Sequence, residues 1–468
     1  MIVEKPLTLR RKNTNRMNMM RRLWCGCALL ALWMMSSLHA MAQMEDAKTA
    51  VANMRVGWNL GNTLDSNSGE ATNMWIEAYS SRTPKDYETA WGQPQATKAL
   101  IHMFKEAGFN AIRVPVTWYP HYGTLNNVGK TWDQSKWSGY TLNSAWLKRV
   151  KQVVDYVIDE GMYCILNVHH DTGNGTAAWI RASMDNYEQY EDRYTRLWTA
   201  IATQFKDYDD HLLFEGYNEM TDKYGSWCFA SFASDAKYNA ADAADAYKAV
   251  NSYAQDFVAA VRATGGNNEQ RNLVVNTYAA CSGAGSWNMH LQDPLKQMAK
   301  PLDDAEGHLI FQVHSYWNVL NYNSTMKSDI TTMFTNLYTY LAKKHDAPVI
   351  VGEWGSDAEG FDYSDEAQRK KLTDFATYFV QRAKARNMAC FYWMGLSDGK
   401  DRSVPQWTQP EVVDAIIKGY YGAGGYVDGI QSVTPRSTSL NTYNLSGQPS
   451  RPKSNEIIVR QGRKMVHR

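Results

Sequence analysis

A closed (β/α)8 barrel, a single-domain α/β fold, is what this sequence predicts, and three observations carry the prediction. Short β-rich runs recur eight times along the body, separated by longer amphipathic stretches, the alternation of a parallel sheet with crossover helices. No glycine-rich phosphate loop follows the first run, which favours closure into a barrel over a doubly wound sheet. Nearly every run ends in a polar or aromatic residue, and in such barrels the C-terminal strand ends form the functional face.

The runs are residues 55–59, 111–116, 163–168, 212–217, 273–278, 309–314, 348–353 and 389–393. Helix-period segments lie at 144–160, 187–205, 243–263 and 366–386, and 410–420 follows the last run. Gly108, Gly161 and Gly265 each follow a helical run, as C-capping glycines do. The strand ends bring Asn59, Arg113, His169-His170, Asn218-Glu219, Tyr278, His314 with Tyr316, Glu353 and Trp393 to one face. One polar strand end means little; so many converging make a site.

The two ends are different in kind. Residues 1–42 read as a signal peptide: a basic stretch ending in Arg21-Arg22, an apolar run over 23–35, and Ala40-Met41-Ala42 as a cleavage pattern. The apolar run is too short for a permanent membrane span, so the expectation is an exported protein, secreted, periplasmic or on the cell surface. The barrel is then residues 43–424. Residues 425–468 form a tail with seven Lys or Arg against two acidic residues, a solvated or interacting segment and a candidate sorting signal.

Formal net charge is +1, which argues against a nucleic-acid partner. The 17 Trp and 28 Tyr exceed what a core of this size demands, and such rings pack well against the CH faces of sugars. Past the leader there are four cysteines. Cys164 and Cys390 sit in apolar runs and read as buried free thiols; Cys228 and Cys281 lie in loop-like sequence and could pair in an oxidising compartment. No CxxC or His/Cys cluster suggests a metal. No cofactor is called for, and a monomer is expected.

Two glutamates, Glu219 and Glu353, each end an apolar run, on strands four and seven. A retaining glycosidase needs two carboxyls about 5 Å apart, one attacking the anomeric carbon and one protonating the departing oxygen. A structural alternative pairs both with Arg113, since a carboxylate among apolar residues is costly to desolvate alone. Arg113 stands between Ile112 and Val114 and can hold a nucleophile ionised. The Asn218 amide suits a sugar 2-hydroxyl, Tyr316 a bond to the nucleophile, His314 the acid/base or leaving group, and Trp393 the floor under the reacting sugar. His169-His170-Asp171 invites a metal reading, but neighbours on a strand face opposite ways, so hydrogen bonding to sugar or to the Arg/Glu set is expected. A non-catalytic carbohydrate-binding barrel would keep the tryptophans yet lose a carboxylate, and a metal-dependent hydrolase would need His and Asp at several strand ends; the sequence fits neither.

Six strings in order carry a resemblance: Gly57-Trp58-Asn59-Leu60-Gly61-Asn62-Thr63-Leu64-Asp65, Ile112-Arg113-Val114-Pro115-Val116-Thr117-Trp118, Asn167-Val168-His169-His170-Asp171, Phe214-Glu215-Gly216-Tyr217-Asn218-Glu219, Val313-His314-Ser315-Tyr316 and Val351-Gly352-Glu353-Trp354-Gly355. Together they resemble glycoside hydrolase family 5, in its endoglucanase-like branch, over residues 54–420. The resemblance implies a retaining endo-β-1,4-glucanase with Glu219 as acid/base and Glu353 as nucleophile. Its required set maps onto Arg113, His169, Asn218, His314, Tyr316 and Trp393 beside the two glutamates, with Asn59, Trp118 and His170 as site support. The implied partner is a β-glucan polysaccharide of the cellulose type, with xyloglucan, mixed-linkage glucan and β-mannan as alternatives. Two departures stand out: Met220 replaces the proline that usually follows the acid/base, and the eighth-strand string Phe391-Tyr392-Trp393-Met394-Gly395 is unlike that of the best-known endoglucanases. The family also suggests a non-prolyl cis peptide at Trp393–Met394. In the tail, Tyr443-Asn444-Leu445-Ser446-Gly447-Gln448 and Ile457-Ile458-Val459-Arg460 resemble the C-terminal segment of many exported Bacteroidetes proteins.

Overall fold

Eight parallel strands close on themselves in chain order: β1 (Val56–Asn59), β2 (Ala111–Val114), β3 (Tyr163–Asn167), β4 (Leu212–Glu215), β5 (Leu273–Cys281), β6 (Leu309–Trp317), β7 (Val349–Ser356) and β8 (Ala389–Trp393), with β8 pairing back onto β1. The computed structural model describes residues 44–232 and 237–426, and the backbone of 456–460 and 463–467. Residues 1–42, read from the sequence as a signal peptide, and the string at 443–448 lie outside the described residues. The fold is the single (β/α)8 barrel the sequence predicts.

Outside the strands run α1 (Lys98–Ala107), α2 (Ser144–Asp159), α3 (Met184–Gln204), α4 (Ala240–Arg262), the short α5 (Asp293–Gln297), α6 (Ser324–Leu337), α7 (Glu366–Lys384) and α8 (Pro410–Tyr421). Their ends follow local chemistry. The side chain of Asn143 accepts from Ala145 and Trp146 to start α2, whose Trp146, Val150, Val153, Val154 and Val157 form the buried stripe against the sheet. The predicted capping glycines Gly108, Gly161 and Gly265 all take positive φ, 104°, 63° and 70°.

Strand ends depart from the sequence reading in ways that shape the site. β4 stops at Glu215, two residues early, because the Gly216 carbonyl is taken by the Tyr194 hydroxyl and the Trp198 indole N–H of α3, both at 2.9 Å. Asn218 and Glu219 therefore ride on a loop rather than on the strand. β6 and β7 run on instead, through a register shift at Val313/His314, pairing His314 with Glu353 and Tyr316 with Gly355.

One element went unforeseen. A helix over Ala47–Met54, capped by the Asp46 side chain, closes the N-terminal mouth of the barrel. Its Ala47, Ala50, Val51 and Met54 are buried with Ala111, Ile165, Leu213, Val274, Ile310, Ile350 and Phe391 in one apolar cluster. The tail is a separate unit in which Glu456–Arg460 pairs antiparallel with Arg463–His467. Among the described residues no helix is long and apolar enough to cross a membrane.

Candidate active site

Arg113, fully buried near the end of β2, organises the C-terminal face. Its Nε and Nη2 grip Glu215 at 2.6 and 2.7 Å, a fork matched to a carboxylate. Nη1 donates to Glu353 Oε1 at 2.6 Å and to Asn59 Oδ1 at 3.0 Å, and Nη2 also reaches Asn218 Oδ1 at 2.7 Å. Asn59 in turn donates to the carbonyl of Gly352 at 2.9 Å. It is wholly buried, so it orients Arg113 and β7 rather than meeting a ligand. Asn218 gives Arg113 its carbonyl oxygen, and among the described residues its Nδ2 donor has no protein partner.

The two predicted carboxyls meet above this base. One oxygen of Glu219, one of Glu353 and a ring nitrogen of His314 all lie within 4.8 Å of one another. Glu353 is held at both oxygens, by Arg113 and by the Tyr316 hydroxyl at 2.6 Å. Among the described residues Glu219 has only the His314 ring, Nδ1 to Oε1 at 2.7 Å, and its side chain is 23% exposed against 5% for Glu353. The same His314 nitrogen stands 3.6 Å from Glu353 Oε2.

These surroundings set the protons. Burial pushes Glu219 up from 4.5 to about 7, with Arg113 opposing at a distance. Burial also raises Glu353, and the Arg113 guanidinium and the Tyr316 hydrogen bond offset that cost without cancelling it. With a guanidinium in contact it still ionises before Glu219. Burial would raise Glu215 too, but the Arg113 fork outweighs it and holds that carboxyl low. His314 is pushed down to about 4, chiefly by burial, and His169 well below its usual value for the same reason. Both imidazoles are neutral at neutral pH.

Two expectations need correction. His169 and His170 do not face opposite ways: β3 ends at Asn167, the period of two ends with it, and both rings converge with Asp65 so that one ligand atom from each lies within 4.8 Å. Each ring is otherwise engaged. His169 Nδ1 stands 3.0 Å from Asn167 Nδ2, with Nε2 3.9 Å from Glu353, and His170 packs 5.3 Å from Trp91. Nor is there a cis peptide among the described residues. The chain turns after Trp393 through Met394 at φ 22°, and the Met394 carbonyl accepts from the Trp58 indole at 3.2 Å.

Trp393 is half-buried and lies parallel to His169, ring centres 5.9 Å apart. It needs Gly61 beneath it, where a Cβ would meet its ring at 2.9 Å. Trp118 is buried and donates to the Asn167 carbonyl at 2.8 Å, so it supports the wall from behind. On the Glu219 side the cleft opens into a cavity of about 280 Å3 lined by Trp227, Cys228, Cys281, Trp287, His314 and Tyr316. The two cysteines there are not bridged.

Sequence reasoning missed Glu215 and its supports. Asn167 and Asn276 donate to Glu215 Oε1 at 3.2 and 3.1 Å, and Asn276 also holds the carbonyls of Tyr217 and Asn218 at 2.8 and 3.0 Å. The available signal was a charge inside the apolar run Leu212-Leu213-Phe214-Glu215, which demands a buried partner.

A cation held between two carboxylates, a third carboxyl kept protonated close by, and an aromatic floor are a glycosidase's parts, and the sequence carries the matching signature: residues 70–398 match the cellulase (glycosyl hydrolase family 5) sequence family. The chain belongs to glycosyl hydrolase family 5. Among solved family-5 structures, a GH5-4 broad specificity endoglucanase from an uncultured bacterium is 46% identical, with a TM-score of 0.74 over 82% of this chain and 99% of that one. A family-5 enzyme from Prevotella bryantii, solved with a xyloglucan tetradecasaccharide, is 40% identical, with a TM-score of 0.68 over 81% and 99%. Endoglucanase A of Clostridium longisporum is 33% identical over 399 residues, 81% of this chain and 67% of the relative. The cellulase/esterase CelE of Acetivibrio thermocellus is 32% identical over 407 residues, and there the match spans only 41% of the longer relative. This family-5 chain is a glycoside hydrolase of the endo-β-1,4-glucanase kind.

Proposed function

We propose that Glu353 is the nucleophile and Glu219 the acid/base of a double displacement that cuts internal β-1,4 bonds with retention. The spacing of the two carboxyls carries the reading, since their oxygens approach within 4.8 Å and an inverting pair must stand roughly 6.5–9.5 Å apart to admit water. In the first step Glu353, ionised and aimed by Arg113 and Tyr316, attacks the anomeric carbon while Glu219 gives its proton to the leaving oxygen. In the second, Glu219 takes a proton from water as the glycosyl–Glu353 ester breaks. The free Nδ2 of Asn218 meets the sugar 2-hydroxyl, a contact that tightens in the transition state, and Trp393 floors the reacting sugar. Proton NMR during hydrolysis tests this: β-anomer must appear first, and initial α-anomer refutes the assignment.

The preferred substrate is a soluble β-1,4-linked glucan, branched xyloglucan included. Support comes from the xyloglucan held by the Prevotella relative and the broad specificity ascribed to the uncultured-bacterium enzyme. The protein acts as a monomer outside the cytoplasm, with residues 43–424 as catalytic domain and 425–468 as a surface-sorting segment. The signal-like residues 1–42 and the division of the chain at Gly425 support that arrangement. Reducing-sugar release from cellulose, xyloglucan, mixed-linkage glucan and mannan ranks the substrates, and mannan as the best refutes the preference.

A further inference from the structure

Two thiols line the cavity on the Glu219 side of the cleft, and the backbone is distorted to bring them together. Near the end of β5 the register with β6 slips between Asn276 and Cys281. Ala279 and Ala280 there take positive φ, 49° and 50°, a conformation that costs non-glycine residues free energy and persists only where surroundings impose it. The distortion delivers Cys281 to the tip of the loop that follows Glu219, where its Sγ donates to the Trp227 carbonyl. That carbonyl belongs to the peptide bond preceding Cys228, and both cysteines line the one cavity, so the two residues are neighbours. Neighbouring cysteines of this kind are within the reach of a disulfide once their side chains turn toward each other.

Residues 222–231 of the loop are otherwise tied down. The Asp222 carboxylate accepts from the N–H groups of Tyr224, Ser226 and Ser231 at 3.0, 3.1 and 2.6 Å, and the Tyr278 hydroxyl donates to the Ser226 carbonyl at 2.9 Å. The tip over Trp227 and Cys228 is joined to β5 by the Cys281 thiol contact. It carries Trp227, 45% exposed, which faces the same cavity as Trp287, 60% exposed.

We propose that Cys228 and Cys281 form a disulfide that pins this tip to the end of β5 and so fixes the leaving-group wall of the cleft. The acceptor is a second disulfide, of glutathione or of a thiol–disulfide oxidoreductase. The thiolate of Cys228, the more exposed of the two, attacks it and expels one thiolate. Cys281 then attacks the Cys228 sulfur and expels the second. Two protein thiols lose two protons and two electrons, one S–S bond forms in the protein, and one breaks in the acceptor. Burial raises both thiols above their ordinary range, which makes exchange slow in the folded protein, so equilibration takes hours. The effect on the cleft rests on the endoglucanase reading; the bond itself does not.

The test equilibrates the protein with oxidised or reduced glutathione, blocks free thiols under denaturing conditions, and maps the peptides. The expected result is one linked pair, Cys228 to Cys281, lighter by two hydrogens, with Cys164 and Cys390 free; Cys228→Ser and Cys281→Ser each abolish it. Oxidised wild type then shows a KM for xyloglucan or mixed-linkage glucan roughly threefold below that of the reduced form, because the wall is pre-organised. KM for an aryl β-cellobioside, which places no sugar on that side, is the same in both. Glutathione on Cys228 alone, or four free thiols at equilibrium, overturns the bond. A bond that leaves both KM values unchanged overturns its bearing on the cleft. A protein that forms the pair yet cleaves no glucan refutes instead the functional reading on which the second effect rests.

Discussion

Replacing Glu219 by Gln separates the cost of its environment from its use. Burial raises this carboxyl from 4.5 to about 7, which corresponds to roughly 3 kcal/mol against ionisation, or about 2–3 kcal/mol once solvent at its partly exposed edge is allowed for. The sign follows from proton binding: between 4.5 and about 7 the native state holds a proton that the unfolded chain has released. Stability therefore falls as pH rises through this window, and the loss is complete above it. Gln cannot ionise, so E219Q escapes the loss. At pH 8 the variant should be more stable than wild type by about 2–3 kcal/mol, near 3 °C in melting temperature if unfolding about 380 residues carries ~0.8 kcal/mol/K of entropy. At pH 4 the two should melt together. The same substitution should remove the alkaline limb of kcat/KM near pH 7 on aryl glycosides with good leaving groups, while polysaccharide turnover collapses. Scanning calorimetry across pH 4–9, with pH–rate profiles on both substrate types, reads all of this. A variant less stable than wild type at pH 8, or an alkaline limb that survives, refutes the idea that Glu219 is the strained, protonated partner.

Glu353→Ala should lose activity by several orders of magnitude and, given azide, recover as the α-glycosyl azide, whereas Glu219→Ala should yield the β-azide; product NMR distinguishes them. Glu215→Ala removes the carboxylate from a buried fork and leaves Arg113 half-paired, so denaturant unfolding should show a loss of about 3–5 kcal/mol, with kcat falling as Arg113 loses the fork that fixes its orientation toward Glu353. Gly61→Ala should raise KM without unfolding the barrel, because its Cβ would press on the Trp393 ring at 2.9 Å; an unchanged KM removes Trp393 from the sugar floor. A protein ending at Gly425 should keep kcat/KM within about twofold, or ~0.4 kcal/mol, and a larger loss would give the tail a part in the cleft.

Much of the site was legible because residue type and position coincide in a parallel barrel. Arg113, Glu353 and Trp393 are at or near strand ends where the alternation of faces still holds, so a polar or aromatic residue there points where substrates bind. Legibility failed where the backbone leaves the regular strand. The His169/His170 pair was misjudged because its residues lie past the end of β3, and the β4 end was drawn too late because nothing local in Gly216-Tyr217 reveals that α3 captures the Gly216 carbonyl. Glu215 hid in plain sight: its importance lies in a partner more than a hundred residues away, and only the closed sheet brings them together. The helix at Ala47–Met54 is short and weakly patterned, and its burial comes from the barrel rather than from its own sequence.

That helix has a consequence for how the protein comes into being. It is synthesised before any strand, yet it is buried by residues on β2 through β8, Phe391 among them. A nascent chain lacking its last strand leaves the stopper without a seat and the mouth of the sheet open, and contacts between such distant parts of a chain close late and slowly. Assembly is thus deferred until nearly the whole polypeptide exists.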